Sequence, residues 1–353
     1  MMKLRKVLAI MMAAAMAMSM MACGSKSESA DSTADDAAVE DTAEDTAEAD
    51  DSADDAAVSD ETYKVGVCQL LEHVALDAAT EGFTDALTDL LGDRVTIDTQ
   101  SAQGEQAMCS TIINNFISDD VDLILANATL PLQTAVQATA DIPIVGTSIT
   151  DYATALGISD WTGATGVNAT GTSDLAPLDE QENMLVELFP EAKTVGILFC
   201  SSEANSQYQS DVFMAELEAD GITGIEFKFT DSNNIQAVTQ SAIEQCDVIY
   251  VPTDNTAADN TAVIKNVCVP AGVPVIAGES GICSGCGVAT LSISYYDIGY
   301  KAGEMAYEIL VNGADPATMD IEFAPQVTKM YNAEICEELG ITVPEDYEAI
   351  SAE

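Results

Sequence analysis

The chain has 353 residues, of which 60 are Asp or Glu and 11 are Lys or Arg, so its formal net charge is -49. A surface this acidic repels phosphate backbones, which excludes nucleic acid as a partner. With 48% hydrophobic residues there is ample material for a core, and a prior of roughly 150 residues per domain predicts two lobes once the amino-terminal segments are set aside.

The basic start Met1-Met-Lys-Leu-Arg-Lys6 leads into the apolar stretch Val7 to Ala22 and then Cys23-Gly24. A short cationic segment, an apolar run of roughly 15 residues and small or apolar residues before a cysteine read as a bacterial lipoprotein signal peptide spanning residues 1–22. The mature chain then begins at Cys23, acylated on its thiol and its new amino group, and more than one acyl chain is the condition for stable anchoring at a membrane surface. The alternative, an uncleaved transmembrane helix, falls short of the ~20 apolar residues that a span requires and lacks a basic stop. Residues 23–61 are built of Ala, Asp, Glu, Ser and Thr without an aromatic ring before the end of the tract. They bury too little apolar surface to offset ordering, which predicts a disordered, self-repelling acidic tether, with helix as the less favoured alternative.

From Tyr63 the pattern alternates. A buried strand at 64–71, a helix at 76–91 closed by Gly92, a strand at 94–99, a helix at 105–117, a strand at 121–126, a helix at 131–138 and a strand at 142–146 follow in order. The series restarts with a strand at 193–200, a helix at 206–220, a strand at 224–230, a helix at 235–244, a strand at 248–251, a helix at 258–269 and a strand at 273–277. A strand at 288–293, a helix at 296–310 and a segment near 321–331 are too little for a third domain and return to complete the first two. The expected fold is α/β, two doubly wound parallel-sheet lobes joined by a hinge, with one lobe formed from 62–173 and 288–314 and the other from 174–287 and 315–343.

Open parallel sheets bind ligands beyond the carboxyl ends of their strands. Polar clusters fall at those ends: Glu72 and His73; Asn127 and Thr129; Thr147 and Ser148; Ser202 and Asn205; Asp254 and Asn255; Glu279. Facing rims of this kind predict a cleft between the lobes. His73, the only histidine, has no second imidazole and no nucleophile arrangement beside it in sequence, so a hydrogen-bonding cleft or helix-entry residue is favoured over a base or a metal ligand. No cofactor and no metal are expected.

The segments Val65-Gly-Val-Cys-Gln-Leu-Leu-Glu-His73, Gln103-Gly-Glu105, Gly171-Thr-Ser-Asp174, Ser201-Ser-Glu-Ala-Asn-Ser206 and Pro252-Thr-Asp-Asn-Thr256 resemble those of the aromatic-amino-acid-type substrate-binding proteins of ABC transporters, a group with a type I periplasmic-binding fold. The likeness runs over nearly all of 63–343. It implies a hinged receptor that closes on a small solute, an aromatic amino acid first and a branched aliphatic one second, and passes it to a permease and its ATPase. It also implies that Gly171 to Asp174 and Glu279 to Gly287 lie near the crossings between lobes. An amino acid needs its carboxylate met by hydroxyls and helix-start N–H groups and its ammonium met by a carboxylate. Thr129 and Ser202 with Asn205 are then the carboxylate receivers, and Glu72, Asp254 and Glu279 the ammonium partners, with capping of the residue's own helix the plainer role for Thr129, Ser202 and Asp254. Tyr152, Trp161, Phe199 and Tyr295 are candidates to stack on a flat solute.

An enzyme is disfavoured because neither a phosphate-binding Gly-x-x-x-x-Gly-Lys-Ser loop nor a Gly-x-Ser-x-Gly elbow is present. A receptor for a membrane sensor kinase stays open beside transport. Cys68, Cys109, Cys200, Cys246 and Cys268 sit in apolar patterns and read as buried thiols, while Cys283 and Cys286 form a lone CxxC in a Gly-rich loop, either a short disulfide or two idle thiols.

Overall fold

The structure is a computed structural model and describes residues 61–350. The expected leader, the expected acylation site Cys23 and the expected tether up to residue 60 lie outside the described residues. Among the described residues, no helix is long and apolar enough to cross a membrane.

The first lobe is laid down as β1 (Tyr63–Gln69), α1 (Val74–Leu91), β2 (Val95–Ser101), α2 (Gln106–Ser118), β3 (Leu123–Asn127), α3 (Thr129–Ala138), β4 (Ile144–Ile149), α4 (Tyr152–Leu156) and β5 (Ala169–Ser173). The second follows as α5 (Leu178–Leu188), β6 (Thr194–Cys200), α6 (Ala204–Ala219), β7 (Thr223–Phe229), α7 (Ile235–Ile243), β8 (Val248–Val251), α8 (Asn255–Ala258), α9 (Thr261–Ala271), β9 (Val275–Ala277), α10 (Ser280–Cys286) and β10 (Ala289–Ser292). The chain then returns for α11 (Tyr295–Asn312) and β11 (Glu322–Phe323), and ends with β12 (Thr328–Tyr331), α12 (Ala333–Leu339) and β13 (Glu348–Ala349).

The strands make two sheets, in the orders β11-β5-β4-β3-β1-β2 and β13-β12-β10-β9-β8-β6-β7. All pairs are parallel except β10 with β12. β1 lies between β2 and β3, and β6 between β7 and β8, so each sheet reverses its winding beside its first strand and leaves a crevice at that strand's carboxyl end. The two-lobed α/β architecture expected from the alternation is present. β3, β4 and β8 are buried along their whole length, as strands covered by helices on both faces must be.

The return segments differ from the expected division. Residues 289–292, assigned above to the first lobe with 288–314, pair with β9 and extend the second sheet, whereas β11, assigned to the second lobe with 315–343, pairs with β5 at the edge of the first. The physical reason is that a short strand joins whichever sheet has an open edge at its height. Crossings between lobes therefore fall at Asp174–Pro177, Ile293–Ser294 and Ala324–Val327. The stretch from 279 to 287, expected near a crossing and read as a loop, is the helix α10 with its Glu279 cap, inside the second lobe.

α11 is held to the first lobe by an unusually close approach to α1. A Cβ on Gly82 would come within 2.1 Å of the Tyr296 carbonyl oxygen, and one on Gly299 within 2.0 Å of the Ala79 carbonyl oxygen, so both helix backbones touch where side chains normally keep them apart. At the rim of this seam the Tyr296 hydroxyl donates to Asp85 at 3.0 Å and the Tyr300 hydroxyl to Asp89 at 3.3 Å. Cys68, Cys109, Cys200, Cys246, Cys268, Cys283, Cys286 and Cys336 are all buried free thiols. Burial pushes the thiols of Cys246 and Cys336 up to about 11 and that of Cys268 to about 12, which keeps them protonated and inert.

Either Gly82→Ala or Gly299→Ala should pry α11 from α1 and cost about 1–3 kcal/mol of stability or more, with a lower urea midpoint as the measured outcome. An unchanged midpoint in both variants contradicts the close helix contact.

Candidate functional site

The carboxyl ends of the two sheets face each other, and the walls of the space between them are His73, Ala75, Leu76, Ser148, Thr150, Asp174 and Tyr295 from the first lobe and Asn205, Thr253, Asp254, Asn255, Ala258, Glu279 and Ile282 from the second. The lobes are drawn down until little more than a water molecule fits between them. His73 Nε2 and Asn255 Oδ1 meet across the gap at 3.3 Å. A solute of amino-acid size therefore enters with the lobes further apart than they stand here.

Each wall residue is placed by its element. His73 is the N-cap position of α1, but its side chain caps nothing and the ring turns to the other lobe. The first-turn N–H groups of α1, which a helix leaves without internal partners, thus start beside the cleft with no side chain bound to them. Ser148 sits on an irregularity of β4, where the register with β5 shifts between Gly146 and Ile149, and it adopts a left-handed φ of 57°. This bulge turns Ser148 into the cleft while its neighbour Thr147 stays in the sheet, accepting from the Thr172 hydroxyl at 3.0 Å. Asp174 is the first residue after β5, and Tyr295 the first of α11, so both stand at crossings; the tyrosine hydroxyl donates to Asp174 Oδ2 at 3.0 Å.

On the second lobe the polar groups are bound to one another. Asp254 caps α8, accepting from Ala257 N at 2.7 Å and from Cys200 N at 2.7 Å. Glu279 caps α10 with both oxygens, on the N–H groups of Gly281 and Ile282. Glu203 accepts from Asn255 N and Nδ2 at 3.1 and 2.7 Å and from Thr256 N and Oγ1 at 2.9 and 2.8 Å. Asn205 donates to the Thr253 carbonyl at 3.1 Å.

Two buried wall atoms stand apart in having no hydrogen-bond partner, Asp174 Oδ1 and Ser148 Oγ. Burial pushes the Asp174 carboxyl up to about 6, with the nearby Glu279 adding to the rise and Thr150 and Tyr295 resisting it. Asp254 is raised by burial and by the Glu203 carboxylate, against the pull of its backbone donors. Glu279 is raised by burial, while His73 and the backbone N–H groups of its helix hold it down.

Of the residues expected at the site, His73, Ser148, Asn205, Asp254, Asn255 and Glu279 line the cavity, and five do not. Glu72 is exposed and faces a depression on the outside of the first lobe with Gln69, Asp77 and Glu81, because the chain turns between it and His73. Asn127 is spent beneath α1, donating to the Leu76 carbonyl at 2.8 Å and to Thr80 at 2.9 Å. Thr129 lies in the first turn of α3, buried away from the cleft, and Thr147 is held in the sheet. Ser202 is exposed, with its hydroxyl on the Cys200 sulfur at 3.0 Å. Among the candidate rings only Tyr295 reaches the cavity. Tyr152 is core, its hydroxyl donating to Thr172 O at 3.2 Å; Phe199 is core beneath Lys228; Trp161 is on the surface. Asp174 and Thr253, overlooked as binding residues, follow buried strands as the others do, and Asp174 closes the quoted Gly171-Thr-Ser-Asp174 segment.

Comparisons with known proteins agree with this geometry. Residues 64–353 match the family model described as ABC transporter substrate binding protein. The chain is 36% identical over 255 residues to a tyrosine-binding protein of Clostridioides difficile (strain R20291), covering 71% of this chain and 74% of that one. It superimposes on an ABC domain from Streptococcus pneumoniae in complex with L-Trp with a TM-score of 0.78 at 30% identity, covering 82% of this chain and all of that one. Against the ligand-free, open structure of CD0873, a substrate binding protein from Clostridium difficile, the TM-score is 0.65 at 34% identity, covering 83% and 100%. The more similar sequence gives the poorer superposition, as expected for lobes that stand closed in this chain and open in that structure. The fold is that of the type I periplasmic-binding proteins.

A carboxyl group raised in the folded state is a burden above its folded value and none below its unfolded one, so the penalty at Asp174 is complete above about pH 6 and vanishes toward pH 4. That penalty attaches to the closed arrangement, so Asp174→Asn should favour closure of the solute-free protein by about 1–3 kcal/mol at neutral pH, read in scattering as a smaller radius of gyration than the parent protein's, and should not do so at pH 4. Equal radii at neutral pH contradict the burial of an unpaired charge in the closed cleft.

Proposed function

The chain belongs to the ABC transporter substrate-binding protein family, and we propose that it is the extracytoplasmic receptor of an importer, taking an aromatic L-amino acid into the cleft between its lobes and presenting the closed form to a permease driven by an ATPase. The observation that carries the solute class is the pair of unpartnered wall atoms. Asp174 Oδ1 is an anionic acceptor without a donor, and Ser148 Oγ lies on the same side of the cleft as the uncapped start of α1. An α-amino acid presents an ammonium for the first and a carboxylate for the second, and burying either charge without its partner costs several kcal/mol. Leu76, Ile282 and the Tyr295 ring give the side chain apolar walls. That relatives at 36% and 30% identity are a tyrosine-binding protein and an L-Trp complex supports the aromatic class.

The receptor acts by population shift, since a solute that touches both lobes favours the closed arrangement over the open one. In this reading the acylated Cys23 holds the chain at the outer face of the cell membrane, and the acidic segment that follows gives the receptor reach. The charge pattern of residues 1–23 supports it.

A thermal-shift screen of L-tyrosine, L-tryptophan, L-phenylalanine, L-leucine, a nucleoside and a hexose should show stabilisation by the aromatic amino acids, ~2.7 kcal/mol at ~100 times the dissociation constant. Calorimetry on Asp174→Ala should then show affinity reduced by about 100-fold or more, the cost of leaving an ammonium buried without its carboxylate. Stabilisation by the sugar or nucleoside alone, or unchanged affinity in the variant, overturns the assignment.

A further inference from the structure

Asp174 and Tyr295 occupy two of the three crossings between the lobes, the first residue past β5 and the first residue past Ile293–Ser294, and their hydrogen bond ties those crossings together at the floor of the cleft. The third crossing reaches the same place, since Ala324 packs against the cluster formed by Ala75, Ala79, Ile293, Tyr295 and Ile298. The free oxygen of Asp174 thus sits where the hinge bends. The groups facing it are Tyr295 from α11, Thr150 after β4, Tyr152 from α4 and, from the opposite lobe, Glu279 at the start of α10. His73 and Asp254 complete the ionisable lining of the cavity.

We infer that Asp174 gates closure by charge: the lobes shut fully only when a cation, supplied by the solute's ammonium or by a proton, neutralises this carboxylate. The inference rests on the amino-acid reading of the site and adds a rule of selection to it. Closing the cleft carries Glu279 into the same dry space as Asp174, two acidic groups with one imidazole between the lobes to offset them. At neutral pH an empty or amine-less cavity would have to bury Asp174 Oδ1 charged and unpaired, and that cost falls on the closed arrangement alone, because in the open one water solvates the oxygen. An ammonium removes the cost and so drives closure as well as binding. Burial lifts the carboxyl to about 6, so a proton takes the ammonium's place in mildly acidic medium, and a protonated Asp174 can itself donate a hydrogen bond into the cavity. The receptor therefore rejects amine-less aromatic acids at neutral pH and admits them on acidification.

The test is calorimetry on the full-length chain with L-tyrosine and L-tryptophan and with their amine-less counterparts, hydroxyphenylpropionate and indolepropionate, at about pH 8 and about pH 5.5. The amine-less acids should gain about fourfold in affinity on acidification, while the amino acids hold or lose affinity, and this opposition of sign is the signature of the gate. In Asp174→Asn the amine-less acids should bind with no pH dependence and the amino acids at least tenfold more weakly. In Tyr295→Phe, which removes the donor to the charged form, the pH at which the amine-less acids begin to bind should move upward. Amine-less acids with flat affinity in the parent protein, or with pH dependence surviving in Asp174→Asn, overturn the gate and leave the amino-acid site standing. Failure of both amino acids to bind at either pH overturns the site and the gate together.

Discussion

A carboxylate that is buried each time two lobes come together must meet a positive charge there or oppose the motion. Asp174 is such a group. It hangs from a crossing between the lobes, one oxygen is held by Tyr295 and the other has no donor. Asp254 and Glu279 are also acidic and buried, yet each has its oxygens on backbone N–H groups at a helix start, where the peptide dipoles favour negative charge. The difference between a capping carboxylate and a free one separates scaffold from receptor in this cleft.

The surrounding fold exists to place that free oxygen. Doubly wound sheets bring every strand's carboxyl end to one edge, so two of them set edge to edge gather six or more polar loops around one gap. Rigidity on the first lobe comes from the backbone contact of α1 with α11, which fixes His73 at the start of one helix and Tyr295 at the start of the other. With both helix starts anchored on the same body, the crossings bend without that wall of the site losing its shape.

Alternation of apolar strands and amphipathic helices made the two α/β lobes legible from the sequence, because buried strands and half-buried helices have different periods. The rim was legible too, down to the loops that carry it. Which residue of a loop faces inward was not. Glu72 and His73 are neighbours, and a single backbone turn sends one outward and the other in. Thr147 and Ser148 are divided by a bulge in β4 that no pattern of residue types announces. Asn127 and Thr129 follow a strand as a binding residue should, but α1 lies over them and takes the asparagine's donors for itself. Short strands such as β10 and β11 carry too few residues to declare a sheet, and edge vacancies decided where they went. Asp174 was passed over because a residue between two lobes belongs to no element, so periodicity says nothing about it.

The distribution of satisfied and unsatisfied groups also sets the order of events. On the second lobe Asn205, Asp254, Asn255 and Glu279 are held by Glu203, by backbone N–H groups or by carbonyls of that same lobe, a surface already organised before anything binds. Both unpartnered wall atoms belong to the first lobe. A solute thus finds its missing partners on the first lobe, and the second meets it as a preformed lid that loses little conformational freedom on closing. Contacts to the first lobe alone bind without discriminating open from closed, since they exist in both. What distinguishes the two arrangements is what the lid brings, namely the His73 to Asn255 contact and the negative charge of Glu279, one favouring closure and the other opposing it. Whether the charge on Asp174 has already been neutralised decides between them.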